Sequence, residues 1–219
     1  MQARPANATT QAPLPAVAVA QHASGAPGSA VGFDVGGAVV AAARGDQRAW
    51  TSLVRAYSGR VYALAKSRTR NDAMAEEITQ SVFVTVATKL NGGAYAEQGR
   101  FESWLFRIAM NRIRDEMRRV RRHAAPTDPA TLADVRIDDG APDGVDPAHL
   151  GALRDALTRL SAPDREIIEL RHHAGLSFAQ ISEALRQPLG TVLARHHRAL
   201  KKLRSILETS ETASFDGGC

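Results

Sequence analysis

The side chains best suited to chemistry crowd into one run near the C-terminal end, "TVLARHHRALKK" from Thr191 to Lys202. Wound as a helix, it puts Val192, Ala199, Leu203 and Ile206 on one stripe and Ala194, His197, Arg198 and Lys201 on another, at i, i+3, i+4 and i+7. That is the chemistry of nucleic-acid recognition. Residues near the start of such a helix, Thr191, Leu193, Ala194 and Arg195, are placed to meet base edges, with His197 on the same outward face. Arg198, Lys201, Lys202 and Arg204 suit phosphates. A second basic array, Arg107, Arg112, Arg114, Arg118, Arg119, Arg121 and Arg122, is opposed locally only by Asp115 and Glu116. The excess is larger than solubility requires and has the form of an electrostatic footprint.

The sequence contains no phosphate-binding glycine loop, no nucleophile elbow and no paired metal-ligand motif, so no catalytic or metal-ligating residues are assigned and no cofactor is expected. His172-His173 and His196-His197 occur as adjacent pairs. Neighbouring helical residues point about 100° apart, so neither pair offers two imidazoles to one ion.

These residues need helices to position them. Helical periodicity starts near Ala38 and continues through "RGDQRAWTSLVRAYSGRVYALAKSR", where Trp50, Leu53, Val54, Tyr57, Val61 and Leu64 recur at helical spacing, predicting an amphipathic helix or helix pair. In "NDAMAEEITQSVFVTVATKL", Asn71 or Asp72 can cap the start. Ile78, Val82, Val86 and Leu90 form an i, i+4 stripe, and Asn91-Gly92-Gly93 ends it. A third helix, from about Phe101 to Arg122, sets the stripe Phe101, Leu105, Ala109, Ile113, Met117 and Val120 against Arg107, Asn111, Arg114 and Arg118. Towards the C-terminus, Ser161 and Ser177 read as caps. Ile167, Ile168 and Leu170 supply core from one helix, and Phe178, Ile181 and Leu185 from the next. A break before Thr191, read as the cap of the final helix, completes helix-turn-helix spacing.

Charge divides the 219 residues in the same way. Residues 44–122 carry +8, residues 123–148 carry −5 and residues 149–208 carry +4. The expected organisation is all-α. An Ala/Pro/Gly-rich disordered extension (1–33) precedes a helical domain (34–122), a flexible acidic linker (123–148), a helix-turn-helix domain (149–208) and a tail (209–219). The acidic linker is expected to fold back over the basic faces of the free protein. Cys219 is the only cysteine and no apolar run approaches the ~18 residues of a membrane span, which fits a reducing cytoplasm and predicts no membrane-spanning segment.

The two halves together resemble the extracytoplasmic-function sigma factors of the sigma-70 superfamily. "AEEITQSVFV" (Ala75 to Val84) is similar to the polymerase-binding part of conserved region 2, and "RFESWLFRIAMNRIRDEMRR" (Arg100 to Arg119) to the adjoining part that engages the −10 element. "LSAPDREIIELRHHAGLSFAQISEAL" and "PLGTVLARHHRALKKL" resemble region 4, which reads the −35 element. The resemblance implies a subunit that gives core RNA polymerase its promoter choice, for a stress or environmental-response regulon. Glu76, Glu77 and Gln80 would dock the clamp helices of the largest polymerase subunit, and the C-terminal domain would meet the flap. Residues 91–100 lie where relatives capture a flipped base, followed by Trp104, Arg107, Asn111, Arg114 and Arg118 on the helix that supports melting. A dedicated anti-sigma factor is a further partner the resemblance suggests. Leu193 and Ala194 depart from the pattern, standing where many relatives carry a basic residue and a serine. The alternative from another class is a stand-alone helix-turn-helix regulator that binds DNA without polymerase.

Overall fold

Residues 33–123 and 147–215 are described by a computed structural model, in which eight helices and no strand are found among the described residues. They are α1 Val35–Ala43, α2 Gln47–Thr69, α3 Asp72–Asn91, α4 Phe101–His123, α5 Pro147–Thr158, α6 Ala162–His172, α7 Phe178–Leu185 and α8 Leu189–Phe215. The expected extension and most of the expected linker lie outside the described residues.

Short polar side chains set where the helices begin. Asp34 accepts from the Gly37 amide, Asp46 from Arg48 and Ala49, and Asn71 from Met74. Ser161 caps α6, and Ser177 with Gln180 forms a reciprocal capping box on α7. The first amphipathic run is a helix pair, broken at Arg44-Gly45-Asp46, where Gly45 takes a positive φ of 91°. At the ends of α2 and α7 arginines do the work usually left to glycine: Arg70 and Arg186 close these helices in the left-handed region, at φ 52° and 54°.

Thr191 does not cap the recognition helix. The Val192 amide already bonds the Pro188 carbonyl at 3.1 Å, and α8 starts at Leu189, so Thr191 lies inside the first turn. Pro188 has its φ fixed near the helical value and no amide to leave unbonded, which favours a helix start directly after it. At its far end α8 runs on to Phe215, through the segment the sequence suggests as tail.

The apolar stripes meet as their spacing requires. Leu53, Tyr57, Val61 and Leu64 of α2 are buried with Ile78, Val82, Val86 and Leu90 of α3 and with Phe101, Leu105, Ala109 and Ile113 of α4. Phe106 and Met110 of α4 are buried as well, so the covered arc of this helix is wider than a single stripe, because α4 packs against α2, α3 and also α7. The buried residues of α6, of the turn after it and of α7, Ile167, Leu170, Leu176 and Ile181 among them, join those of α1–α4 in one continuous cluster. A smaller one, Ala156, Leu160, Ile168, Ala199 and Leu203, ties α5 and α6 to α8. The two helical units are therefore packed on each other.

Candidate nucleic-acid interface

The recognition helix presents the side chains that its spacing implies. Val192 and Ala199 are buried, while Leu193, Ala194, His197, Arg198, Lys201 and Lys202 are exposed and Thr191 is half-buried. Arg195 is half-buried and its guanidinium donates to the Gln187 side chain at 3.3 Å, which ties the first turns of α8 to the turn before it. Leu189 and Leu193 are both more than two-fifths exposed. A helix end that shows large aliphatic groups beside Ala194 can read thymine methyls by apolar contact.

His196 faces the other way, into the junction of α6, α7 and α8. Its ring meets Phe178 edge-on, centroids 4.8 Å apart, and stacks on His172 at 6.3 Å, while Arg171 lies over the Phe178 ring. Its Nε2 is buried without a hydrogen-bond partner. Burial, then the positive charge of His172, Arg171 and His197, holds this imidazole below its ordinary range. A base whose native pKa is lowered binds fewer protons folded than unfolded, so stability falls as pH drops through and below about 6.5. His196→Leu should flatten the pH dependence of the melting temperature between pH 7 and 5 relative to wild type. At neutral pH it should shift stability by less than about 1 kcal/mol, since it replaces a half-buried ring and removes an unsatisfied nitrogen. Among the described residues, no three His, Cys, Asp or Glu side chains converge as metal ligands would.

In the first half, Trp104 is half-buried and stacks on Tyr95 of the preceding loop, centroids 4.3 Å apart, while Phe101 packs against both rings. The Tyr95 hydroxyl donates to Glu97 at 3.1 Å; burial, then Glu97, pushes the phenol up, so it stays a neutral donor. Tyr95 was not among the residues singled out by sequence, although an aromatic in a short loop that leads into an arginine-rich helix is a signal for base stacking. Along α4, Arg107 is half-buried, Asn111 is exposed and Arg118 pairs with Asp115 on its own helix. Arg114 is engaged elsewhere: its guanidinium holds Glu166 of α6 at 2.8 and 3.0 Å and the Asn111 side chain at 3.1 Å.

The polymerase-docking candidates are well separated from these contacts in character. Glu76, Glu77 and Gln80 are exposed on α3, their neighbours Ile78 and Val82 point into the core, and the half-exposed Val84 continues the same face one turn on.

Comparison with known proteins decides between a sigma subunit and a stand-alone regulator. The family model for sigma-70 region 2 matches residues 53–123 and that for sigma-70 region 4 matches residues 156–205. The chain is 37% identical over 187 residues to the extracytoplasmic-function sigma factor SigE of Mycolicibacterium smegmatis, covering 81% of this chain and 70% of that protein. It is 34% identical over 166 residues to the RNA polymerase sigma factor CarQ of Myxococcus xanthus, 74% and 91% of the two chains. This chain belongs to the extracytoplasmic-function sigma factors.

The sigma factor shares its fold with CnrH, solved in complex with the cytosolic domain of CnrY. The TM-score is 0.60 at 24% identity, over 80% of this chain and 97% of that one. RpoE of Bartonella quintana, solved with the anti-sigma factor NepR, gives the same score and identity over 72% and 96%. Sigma factors direct promoter recognition and are not a family of enzymes. No helix of the described residues is long and apolar enough to cross a membrane.

Proposed function

We propose that this sigma factor joins core RNA polymerase through the exposed face of α3, melts and holds the −10 element with α4 and the loop before it, and reads the −35 element with α8. It acts in the cytoplasm by binding rather than by catalysis, with residues 34–122 and 149–208 as its two working domains, on promoters of a stress or environmental response. One observation carries the reading: a single chain presents an outward Glu76/Glu77/Gln80/Val84 face beside an arginine-lined helix, and a helix-turn-helix with an exposed polar and basic recognition face. A stand-alone regulator has no use for the first of these. Trp104, Arg107, Asn111, Arg114 and Arg118 serve melting and the −10 strand. Thr191, Leu193, Ala194, Arg195 and His197 serve base reading, and Arg198, Lys201 and Lys202 serve phosphate contact. The partners with which CnrH and RpoE were solved, the cytosolic domain of CnrY and the anti-sigma factor NepR, support a search for an anti-sigma factor.

Run-off transcription with bacterial core polymerase, with and without the chain, tests the whole reading; failure to confer promoter-dependent initiation would overturn it. The docking face has its own test. Glu77→Lys should weaken binding to core polymerase by about tenfold or more, the range expected when one charge partner at an interface is reversed. The circular dichroism and melting of the free protein should not change, because Glu77 is exposed. Loss of fold along with loss of binding would make the residue structural.

A further inference from the structure

The exposed surface at the start of α8 lacks the groups with which side chains ordinarily read bases. Over its first turns the exposed residues are Leu189, Gly190, Leu193 and Ala194, directly after the exposed Pro188, while Thr191 is half-buried and Val192 buried. None of the exposed side chains can donate or accept a hydrogen bond. Arg195, the one cation in these turns, is half-buried and turned back to the Gln187 side chain at 3.3 Å. Leu189 and Leu193 are 46% and 44% exposed and stand one turn apart on one face, with the exposed His197 a turn further along it.

The surroundings indicate what this apolar end meets. From Leu189 to Leu207 the helix carries no acid, and Arg198, Lys201, Lys202 and Arg204 are exposed on the following turns. That charge complements a polyanion rather than an apolar protein surface. Gly190 and Ala194 form a low row beside the leucines, and a Cβ added at Gly190 would meet nothing within 4 Å, so the backbone there is open to close approach. In the major groove the bases show hydrogen-bond donors and acceptors, and the one apolar group is the C5-methyl of thymine. The same methyl in the same place is carried by 5-methylcytosine, whereas uracil and unmodified cytosine lack it.

We propose that Leu189 and Leu193 form a sensor of pyrimidine C5-methyl groups in the −35 element, through which the factor accepts 5-methylcytosine in place of thymine and discriminates against unmodified cytosine. Neither leucine can bond to the thymine oxygen or the cytosine amino group, so the pair reads the methyl and is blind to the rest of the pyrimidine edge. Cytosine methylation in this stretch of DNA thereby becomes an input to promoter strength. The inference rests on the assignment of α8 to the −35 element made above, and it adds Leu189 to the residues that set specificity.

The test uses holoenzyme assembled from the full chain and bacterial core polymerase, on the −35 sequence that it selects from randomised DNA. Each pyrimidine of that element is exchanged in turn for thymine, deoxyuridine, cytosine and 5-methylcytosine, with the complementary base opposite. At one or two positions, binding should weaken about fourfold from thymine to deoxyuridine and strengthen about fourfold from cytosine to 5-methylcytosine, the factor equivalent to burying one methyl-sized group at about 0.8 kcal/mol. Leu189→Ala combined with Leu193→Ala should bring both ratios close to one with unchanged circular dichroism, since both side chains are exposed. Leu193→Met, which keeps the apolar length, should retain the ratios. Ratios of one at every position in wild type would overturn the sensor. Equal ratios in wild type and the double alanine variant would also overturn it, because the methyl effect would then lie in DNA shape or in other residues. Absence of promoter-dependent run-off by wild type on unmodified DNA would instead overturn the function proposed above.

Discussion

Truncating Phe101 to alanine should lower the unfolding free energy by about 3–5 kcal/mol, the range for removing a buried phenylalanine ring from a close-packed site. The ring is 2% exposed and sits at the start of α4, edge-on to Tyr57 at 5.5 Å and to Tyr95 at 6.1 Å, and tilted against Trp104 at 5.9 Å. It therefore joins the core of α2 to the loop that precedes α4. Removing it leaves a cavity and frees Tyr95 and Trp104 from their common support, so the loss should show twice. Urea titration followed by circular dichroism should give the lower stability, and tryptophan fluorescence should report a loosened environment for Trp104. Phe101→Leu keeps most of the volume and should cost much less. A loss below about 1 kcal/mol for the alanine variant would mean that neighbouring side chains close the gap and that the ring is not the anchor of the loop.

The second large effect concerns α8, where positioning and reading are carried by different residues. Arg198 and Lys201 are exposed, and the one contact of the Arg198 guanidinium, to the Ala194 carbonyl, is long at 3.4 Å. Both are free to meet phosphates. Alanine at either position should weaken binding on all promoters alike and reduce the slope of log affinity against log salt by about 1 per lost contact. His197→Ala should instead reorder the preferred −35 sequences, since a base-edge contact carries roughly 1–3 kcal/mol of discrimination and a phosphate contact carries none directly. Leu193→Arg should shift the same preference, because it replaces an apolar side chain that is 44% exposed with a donor fork. Selection from randomised −35 DNA by the holoenzyme checks both statements. Identical sequence rankings for the His197 and Arg198 variants would show that the division of labour is wrong.

Local rules made most helix starts readable from sequence. Asn71, Ser161 and Ser177 cap through bonds that span three residues, and such bonds depend on little beyond their own segment. The stripes of α2 and α3 were equally legible because each helix spends one face on the same core. Thr191 misled because a threonine before a basic run looks like a cap, whereas Pro188 three positions earlier fixes the start of α8. Contacts across the two halves left no local trace. Arg114 and Glu166 are 52 positions apart, Arg60 and Ala174 are 114 apart, and no periodicity pairs them. A hint was nevertheless present in Phe106 and Met110, two large apolar residues beyond the Phe101/Leu105/Ala109 stripe, which made the apolar arc of α4 wider than a helix covered on one side only needs. The acidic linker was the sequence's candidate for covering the basic faces. Those residues fall outside the described ones, and within them it is Glu166 that holds Arg114.

The continuous cluster of buried side chains also sets an order of events at the ribosome. Helices α1–α4 emerge first and can pack among themselves, but the part of α4 that ends against α7 has no cover until residues some seventy positions further on are made. At 5–20 residues per second that interval lasts roughly 4–14 s. For those seconds the nascent chain offers an uncovered apolar surface beside a dense row of arginines, a surface suited to chaperones and to stray nucleic acid alike. The last third of the polypeptide thus acts as a late-arriving lid for the first half, and a ribosome stalled before α7 would release a fragment whose stickiest side is still bare.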